Sequence, residues 1–365
     1  MRWVCAACLL LLVAACTKPE APPQPQPLSE DVDYDDQNGP NLLSLARGAA
    51  VLSRTAEQSL DTSAVQAIDG DWQTFWRSPA GGAEQSFVFA LPSRSRIDRV
   101  GVITPRNVET PSQVRFEASD DGVAWREIKT LDLTPQDEPQ LASVAPFDAS
   151  QLRVTTLGSA WYVSVRSVIA KGTQLAPRVQ PPIEGCWHIN GQPARFARRG
   201  DSVVGVVGND PPVYVLGGVD NRAVRLTWLR GPMWGPAIIT LDPERRTLTG
   251  ERWHERVWNQ SSGDGWFGTP SRCNEVRFNE TEIAAAMLKR AGKWMAYGNS
   301  ALDTLAALIA RAPSQQFEII VRTPEMRDAL RKRGITVPIS IAPAHATNEP
   351  QRAMADGVEL RSGVR

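Results

Sequence analysis

The 365-residue sequence contains few of the side chains that most often perform catalysis or bind metal ions. It has three histidines, His188, His254 and His345, and His254 has no second histidine four residues further on, which excludes the helical zinc-binding motif. A Gly-x-Ser-x-Gly segment is absent, and no glycine-rich loop leads into a helix as it does in phosphate-binding sites. The sequence therefore gives no support to a serine hydrolase, a zinc hydrolase of this type or a nucleotide-binding enzyme.

Net charge and a long apolar segment are also missing. Lys+Arg and Asp+Glu both number 40, so the formal net charge is +0. No nucleic-acid partner is expected, because such a partner favours a basic surface. The apolar run at residues 4–15 is shorter than the roughly 20 residues that a membrane-spanning helix requires, so it does not predict one.

The apolar run follows Arg2, a pattern typical of a secretion signal, and it ends in Val-Ala-Ala-Cys at residues 13–16. This ending resembles a bacterial lipoprotein box, which implies a signal peptide at residues 1–15 and a lipid anchor at Cys16 with the membrane as partner. Thr17 follows the cysteine where an aspartate would resemble an inner-membrane retention signal. The resemblance therefore favours the outer membrane, with the chain facing the periplasm. The alternative is an ordinary signal peptide in which Cys16 is incidental.

The cysteine count predicts one disulfide. Cys5 and Cys8 leave with the signal peptide and Cys16 is the anchor, so Cys186 and Cys273 remain. In an oxidising periplasm such a pair most simply forms a disulfide. Two free thiols and a metal-binding pair are the alternatives, although a zinc site requires four ligands.

Changes in composition divide the chain, and the predicted fold is mainly β. Residues 16–40 are rich in proline and acidic residues and predict an extended tether. Six alternating runs within residues 41–173 predict a β-sandwich, and residues 183–278 predict a second, smaller β meander or barrel whose ends the disulfide joins. Residues 279–342 predict a small α/β domain with three helices and the strand "FEIIV", and residues 343–365 predict a loose tail.

Four ordered motifs in the first β region resemble the discoidin, or coagulation-factor type C, domain. They are "NLLSLARGAAV", "AIDGDWQTFW", "VRFEASDDGVAW" and "LRVTTL" with "VRSVIAKG". The resemblance implies a jelly-roll β-sandwich of a type that often binds carbohydrate. It also places Trp76 and Trp125 at core positions.

The same resemblance implies a calcium site at Asp69, Asp71 and Thr74. Calcium requires hard oxygen ligands, which these side chains supply. The glutamate that the family's closing strand often contributes is replaced here by Ser167. The alternative is a calcium-free loop held by hydrogen bonds from the Asp69 side chain.

Four residues in loops near predicted strand ends are candidates for binding a sugar: Arg106, Asn107, Trp161 and Tyr162. Aromatic faces stack on sugar rings, and Arg and Asn donate hydrogen bonds to hydroxyls. The alternative is that Trp161 and Tyr162 close the end of the sandwich by packing.

The second β region holds six of the 12 tryptophans. Trp234 and Trp266 lie in the glycine-rich segments "LRGPMWGP" and "SSGDGWFGTP", which predicts exposed loops and a platform for a sugar or a protein partner. The alternative is that these tryptophans pack inside a small barrel.

Four segments within residues 282–360 resemble, in order, the peptidoglycan-binding C-terminal domain of the outer membrane protein A family: "EIAAAMLKRAGKWMAYGNSALDTL", "FEIIV", "MRDALRKRGI" and "ATNEPQRAMADGVEL". Arg322 stands where that family has an arginine that binds a carboxylate. The family's segment with the aspartate that grips diaminopimelate has no counterpart here. Both peptidoglycan binding through Arg322 and a purely structural remnant remain open.

These observations predict that the protein is a non-catalytic lipoprotein that binds a glycan or cell-wall material through its discoidin-like domain. One alternative is a structural scaffold for an envelope protein assembly. The other is a glycan or muropeptide hydrolase, for which Glu251 and Glu255 are the carboxylates to test first.

Overall fold

The computed structural model describes part of the chain: residues 40–70, 74–81, 84–158, 161–177, 181–199, 202–219, 223–242, 244, 246–253, 263–280, 282–283, 286, 293–296, 317–321, 324–341 and 358–362. The predicted signal peptide, Cys16 and all of the predicted tether except residue 40 lie outside these residues. The described residues form a β-sandwich, a closed barrel and a small four-stranded sheet, which confirms the predicted mainly β class. Within them, no helix has the length and apolar character needed to span a membrane.

The sandwich contains one highly bent sheet in the order β1-β3-β6-β4-β5, with β8 on β3 and a separate β2-β7 pair. Three short 3-10 helices, Leu45–Arg47, Leu60–Thr62 and Ala64–Ala67, lie before the long strands. The strands are β1 (Ala50–Arg54), β2 (Trp76–Arg77), β3 (Gln85–Ile103), β4 (Gln113–Ser119), β5 (Arg126–Asp132), β6 (Gln140–Leu157), β7 (Ser164–Val165) and β8 (Ser167–Gln174).

Strands β3 and β6 run through both halves of the sandwich. They are 19 and 18 residues long, and their pairing shifts register between Ala90 and Ser95. Before the shift β3 pairs with β1, and after it β3 pairs with β8. The sequence predicted two separate strands, "QSFVFAL" and "RIDRVGVI", because the polar residues between them look like a turn.

Apolar side chains from both halves fill one core. Trp76 is fully buried, and its ring meets that of Phe87 edge-on at 4.5 Å between centroids. The predicted core position of Trp76 is confirmed. Trp125 is only half-buried, so the prediction that it lies in the core was wrong.

The second β region is a closed eight-stranded barrel in which each strand pairs with the next and the last pairs with the first. Closure runs through pairs such as Gly268 with Ile189, and the Cys186–Cys273 disulfide fastens the same seam. The predicted disulfide is therefore confirmed. The strands are β9 (Gly185–Ile189), β10 (Gln192–Arg199), β11 (Ser202–Val207), β12 (Val213–Val219), β13 (Val224–Arg230), β14 (Met233–Leu241), β15 (Leu248–Trp253) and β16 (Gly263–Pro270).

One outer face of the barrel packs against the sandwich. The Thr249 hydroxyl accepts a hydrogen bond from the Val51 amide at 3.0 Å and donates to the Val51 carbonyl at 3.1 Å. The Thr240 hydroxyl donates to the Ala49 carbonyl at 2.8 Å. Ile238 of the barrel belongs to the apolar core of the sandwich. These contacts give hydrogen-bond partners to buried backbone groups of Ala49 and Val51, at the start of β1.

A second part of this interface centres on Gln66. Its Nε2 donates to the Gly263 carbonyl at 2.8 Å and to Glu251 Oε1 at 3.3 Å. Its Oε1 accepts from the Ser63 hydroxyl at 2.6 Å. All three side chains, Ser63, Gln66 and Glu251, are fully buried, so the interface is polar and closed to solvent.

Near the C-terminus a four-stranded sheet has the order β17-β20-β18-β19. Its strands are β17 (Lys293–Ala296), β18 (Phe317–Val321), β19 (Ile339–Ile341) and β20 (Val358–Ser362), and α1 (Pro324–Lys332) connects the parallel strands β18 and β19. The "FEIIV" strand and the "PEMRDALRKRG" helix are confirmed.

Two predictions for this region need correction or stay open. Strand β20 lies within the predicted loose tail and pairs with β17 and β18, so that prediction was wrong for these residues. Most of the other two predicted helices, and Arg322, lie outside the described residues.

Candidate functional site

Four loop segments meet at one end of the sandwich: residues 78–81, 104–112, 133–139 and 161–163. Backbone hydrogen bonds connect neighbouring loops. The Ser164 amide donates to the Glu109 carbonyl at 2.9 Å, the Ser78 amide donates to the Val163 carbonyl at 2.8 Å, and the Gly81 amide donates to the Trp161 carbonyl at 2.8 Å. We call this end of the sandwich the loop end.

An ion pair fixes the loop end from within. Arg77 Nη2 donates to Glu109 Oε1 at 2.8 Å, and Arg77 Nε donates to Glu109 Oε2 at 3.1 Å. The Ser164 hydroxyl donates to the same carboxylate at 2.6 Å. Bidentate arginine–carboxylate pairs have defined geometry, and this one is largely screened from water. It joins β2, the 104–112 loop and β7.

Aromatic side chains cover the surface next to this pair. Trp161 is 71% exposed, while Tyr162 is half-buried, and their rings meet edge-to-face at 6.4 Å. The Arg77 guanidinium lies 5.6 Å from the centre of the Tyr162 ring and 4.9 Å from that of Phe75. Tyr162 is therefore backed by a cation, whereas Trp161 is open to solvent.

Arg106 and Asn107 lie on the adjoining loop with exposed side chains. Asn107 Oδ1 accepts a hydrogen bond from the Glu109 amide at 2.8 Å, and the Arg106 amide donates to Asp137 Oδ1 at 3.2 Å. Asp137 also pairs with Arg166 at 2.8 Å, which fixes the 133–139 loop against the site.

The structure thus brings together the four residues that the sequence proposed for sugar binding, and it adds others. Val108, between Asn107 and Glu109, is 89% exposed, and Arg77 and Phe75 support the aromatic surface. Arg77 and Phe75 were not predicted, although the pattern "TFWRS" places aromatic and basic residues beside the buried Trp76.

The predicted calcium loop is described in part. The Thr74 hydroxyl donates to Asp69 Oδ2 at 2.6 Å, and both side chains are buried. Asp71 lies outside the described residues, and among the residues that are described no group of three His, Cys, Asp or Glu side chains is arranged to hold a metal. Calcium takes six to eight oxygen ligands. Two of the three predicted ligand residues, Asp69 and Thr74, lie among the described residues. Calcium binding therefore stays a prediction.

The tryptophans of the barrel do not form the predicted exposed platform in the part that is described. Trp266 is 3% exposed and belongs to the barrel core with Trp228, so its predicted place in an exposed loop was wrong; it lies in β16. Several residues of β16 are glycines, and a glycine-rich segment normally predicts a loop. The sequence therefore gave a wrong prediction for this strand. Trp234 lies in β14, and its side chain is outside what is described.

An ion pair lies over the buried barrel tryptophans. The Arg252 guanidinium is 4.9 Å from the Trp228 ring and 5.8 Å from the Trp266 ring, and it pairs with Asp264 at 2.8 Å. Packing is thus the role that the structure gives to Trp266.

Glu251, proposed for hydrolysis, is fully buried between barrel and sandwich beside Gln66. A carboxylate in that position cannot reach a substrate from solvent. Glu255 lies outside the described residues.

One known protein family matches the sandwich. Residues 52–168 match the family model described as F5/8 type C domain. The sandwich is therefore a discoidin-type domain, and the resemblance read from the sequence is confirmed for this part of the chain. No curated protein matches the chain.

Solved structures similar to the chain include CBM32-3 from a family 31 glycoside hydrolase of Clostridium perfringens, with 20% identity and a TM-score of 0.32 over 35% of this chain and 93% of that one. Another is the C-terminal domain of a chitobiase from Bacteroides fragilis, with 24% identity and a TM-score of 0.33 over 35% of this chain and 96% of that one. A third is a family 32 CBM of C. perfringens in complex with galactose, with 19% identity and a TM-score of 0.30 over 33% of this chain and 98% of that one.

Proposed function

We propose that this chain is a non-catalytic envelope lipoprotein that binds carbohydrate at the loop end of its discoidin-type domain. The observation that carries the proposal is the exposed indole of Trp161 next to Tyr162 and the exposed polar side chains of Arg106 and Asn107. Anchorage through Cys16 in the outer membrane, facing the periplasm, would place this site near cell-wall glycans.

The chemistry of the loop end suits a sugar. A sugar ring has an apolar face that stacks on an aromatic ring, and it has hydroxyls that accept hydrogen bonds from Arg and Asn side chains. The Arg77–Glu109 pair holds the surrounding loops in place before a ligand arrives. Such preorganisation reduces the entropy lost on binding.

The experiment compares the full mature chain with its Trp161→Ala variant on a glycan array and in a pull-down with purified peptidoglycan. Burying a tryptophan face stabilises a complex by about 2 kcal/mol, so we expect roughly a 30-fold loss of affinity in the variant. The matched control is Met233→Ala, which removes another exposed apolar side chain from the barrel and should bind like the wild type. A correctly folded wild type that retains no glycan and no peptidoglycan would remove the proposal.

A second candidate function is a scaffold for an envelope protein assembly. The buried interface between barrel and sandwich and the buried Trp266 favour it, because both give the barrel a structural role. Cross-linking in cells would support it by capturing one stoichiometric protein partner while no glycan binds. Calcium at Asp69 and peptidoglycan binding through Arg322 remain additional predictions.

A further inference from the structure

A groove of about 610 Å³ lies at the other end of the sandwich. It forms where β3 and β6 bend and where the hairpin between β4 and β5 turns, and we call it the bend groove. Strand β4 separates it from the loop end, because residues 104–112 precede β4 and residues 120–125 follow it. Side chains that line the bend groove include Arg94, Arg96, Trp125, Arg126, Phe147 and Asp148.

Partly exposed ion pairs make up the polar wall of the bend groove. Arg96 Nε donates to Asp148 Oδ1 at 2.8 Å, and Arg94 Nε donates to Asp120 Oδ1 at 3.2 Å. Arg94 also lies 3.6 Å from Asp148, which links the two pairs. The hydrogen bond from Arg96 holds the pKa of Asp148 below its usual range, so this carboxylate remains an acceptor at neutral pH.

The charges in the lining balance. Three arginines and three aspartates face the groove, so it has no net charge with which to select an anion or a cation. One of the aspartates, Asp121, is occupied in the β4–β5 turn, where it accepts hydrogen bonds from the Val123 and Ala124 amides. The remaining arginines and aspartates offer hydrogen-bond donors beside acceptors.

The aromatic wall is held equally firmly. Trp125 Nε1 donates to the Gly122 carbonyl at 3.1 Å, and the Arg153 guanidinium lies 4.6 Å from the Trp125 ring. Arg153 is itself fixed by Glu117, whose Oε2 accepts from its Nε at 2.7 Å. The half-buried indole is therefore a rigid part of the lining.

We infer that the bend groove is a second binding site and that its ligand is a neutral saccharide. A sugar hydroxyl both donates and accepts, so neighbouring hydroxyls match a guanidinium beside a carboxylate, while the ring can lie against Trp125. The volume is in the range of sites for small ligands. This inference goes beyond the proposed function and does not require the loop end to bind.

The test is titration calorimetry of the full mature chain with galactose, N-acetylglucosamine and cellobiose, together with an array of neutral and anionic glycans. The variants are Arg96→Gln for the bend groove and Trp161→Ala for the loop end. The matched control is Arg99→Gln, which removes an arginine that does not line the groove. Arg96 is 60% exposed, so its loss should leave the fold intact. Arg126→Gln, at another arginine of the lining, repeats the test.

We expect two sites per chain, with Arg96→Gln weakening one of them about tenfold while Arg99→Gln changes neither. A single site that Trp161→Ala removes and Arg96→Gln leaves unchanged would refute sugar binding in the bend groove and support sugar binding at the loop end. A single site that Arg96→Gln weakens and Trp161→Ala leaves unchanged would support sugar binding in the bend groove and refute sugar binding at the loop end. Retention of anionic glycans alone, or of no sugar, would overturn the inference.

Discussion

Replacing Gly265 with alanine should weaken the contact between barrel and sandwich. Gly265 lies in β16 directly against Ser63 of the sandwich. A methyl group there would overlap the Ser63 hydroxyl and lie 3.0 Å from the Ser63 Cβ and 3.2 Å from a ring carbon of Phe267. The Ser63 side chain must therefore move to make room for the methyl group.

Ser63 cannot move away without losing a hydrogen bond. Ser63 is fully buried, and its hydroxyl donates to Gln66 Oε1 at 2.6 Å, so rotation of the hydroxyl breaks a buried hydrogen bond. A lost bond of this kind costs about 1 kcal/mol, and overpacking a buried site costs about 1–3 kcal/mol. We expect Gly265→Ala to lower the free energy of unfolding by about 2 kcal/mol.

The assay is urea unfolding of the full mature chain, followed by tryptophan fluorescence, for the wild type, Gly265→Ala, Ser63→Gly and the double variant. Ser63→Gly removes both close atoms, so the double variant should recover at least about 1 kcal/mol relative to the sum of the single changes. If Gly265→Ala unfolds like the wild type, or if the two changes add without coupling, the proposed close packing at this interface is refuted.

Three further predictions concern stability. The Cys186–Cys273 disulfide spans 87 residues, so Cys→Ser replacement of both should cost about 4–5 kcal/mol in urea unfolding; a loss below about 1 kcal/mol would contradict this. The hydrogen bond from Arg153 holds the pKa of Glu117 below the usual value for a glutamate, so the pair stabilises the fold fully above that usual value and loses its effect as the pH falls through the lower folded pKa. Glu117→Gln should therefore cost about 1–2 kcal/mol at pH 7 and less at pH 3, and a pH-independent difference would count against it. Trp76→Ala, at a fully buried position, should cost about 3–5 kcal/mol by the same unfolding assay, unlike a surface change.

Local patterns in the sequence predicted much of the fold. Alternating apolar residues indicated the strands of both β regions, and the four discoidin motifs predicted the position of the sandwich. The disulfide followed from counting Cys186 and Cys273. The four candidate residues, Arg106, Asn107, Trp161 and Tyr162, also lie in loops near strand ends as predicted, and their binding of a sugar stays a prediction.

Features that depend on distant pairing were not predictable in this way. Thr240 and Thr249 each follow an apolar residue in a strand, and Glu251 continues the face of Thr249; such polar positions normally indicate a solvated face, yet all three lie against the sandwich. Nothing in their local sequence shows that a second domain covers them. The tight glycines of β16 similarly made Trp266 look like a loop residue, although they provide room for Ser63.

The two long strands β3 and β6 also keep the two ends of the sandwich at a fixed distance from each other. Since each passes uninterrupted from one half of the sandwich to the other, the halves cannot slide apart without bending two covalent backbones. The stretch of β3 after its shift, residues 95–103, is about 30 Å long at the usual rise per residue. Any two molecules seated beside Trp161 and Trp125 would therefore stay at a constant spacing, so one copy of this chain could join two separate polymer strands without drawing them together.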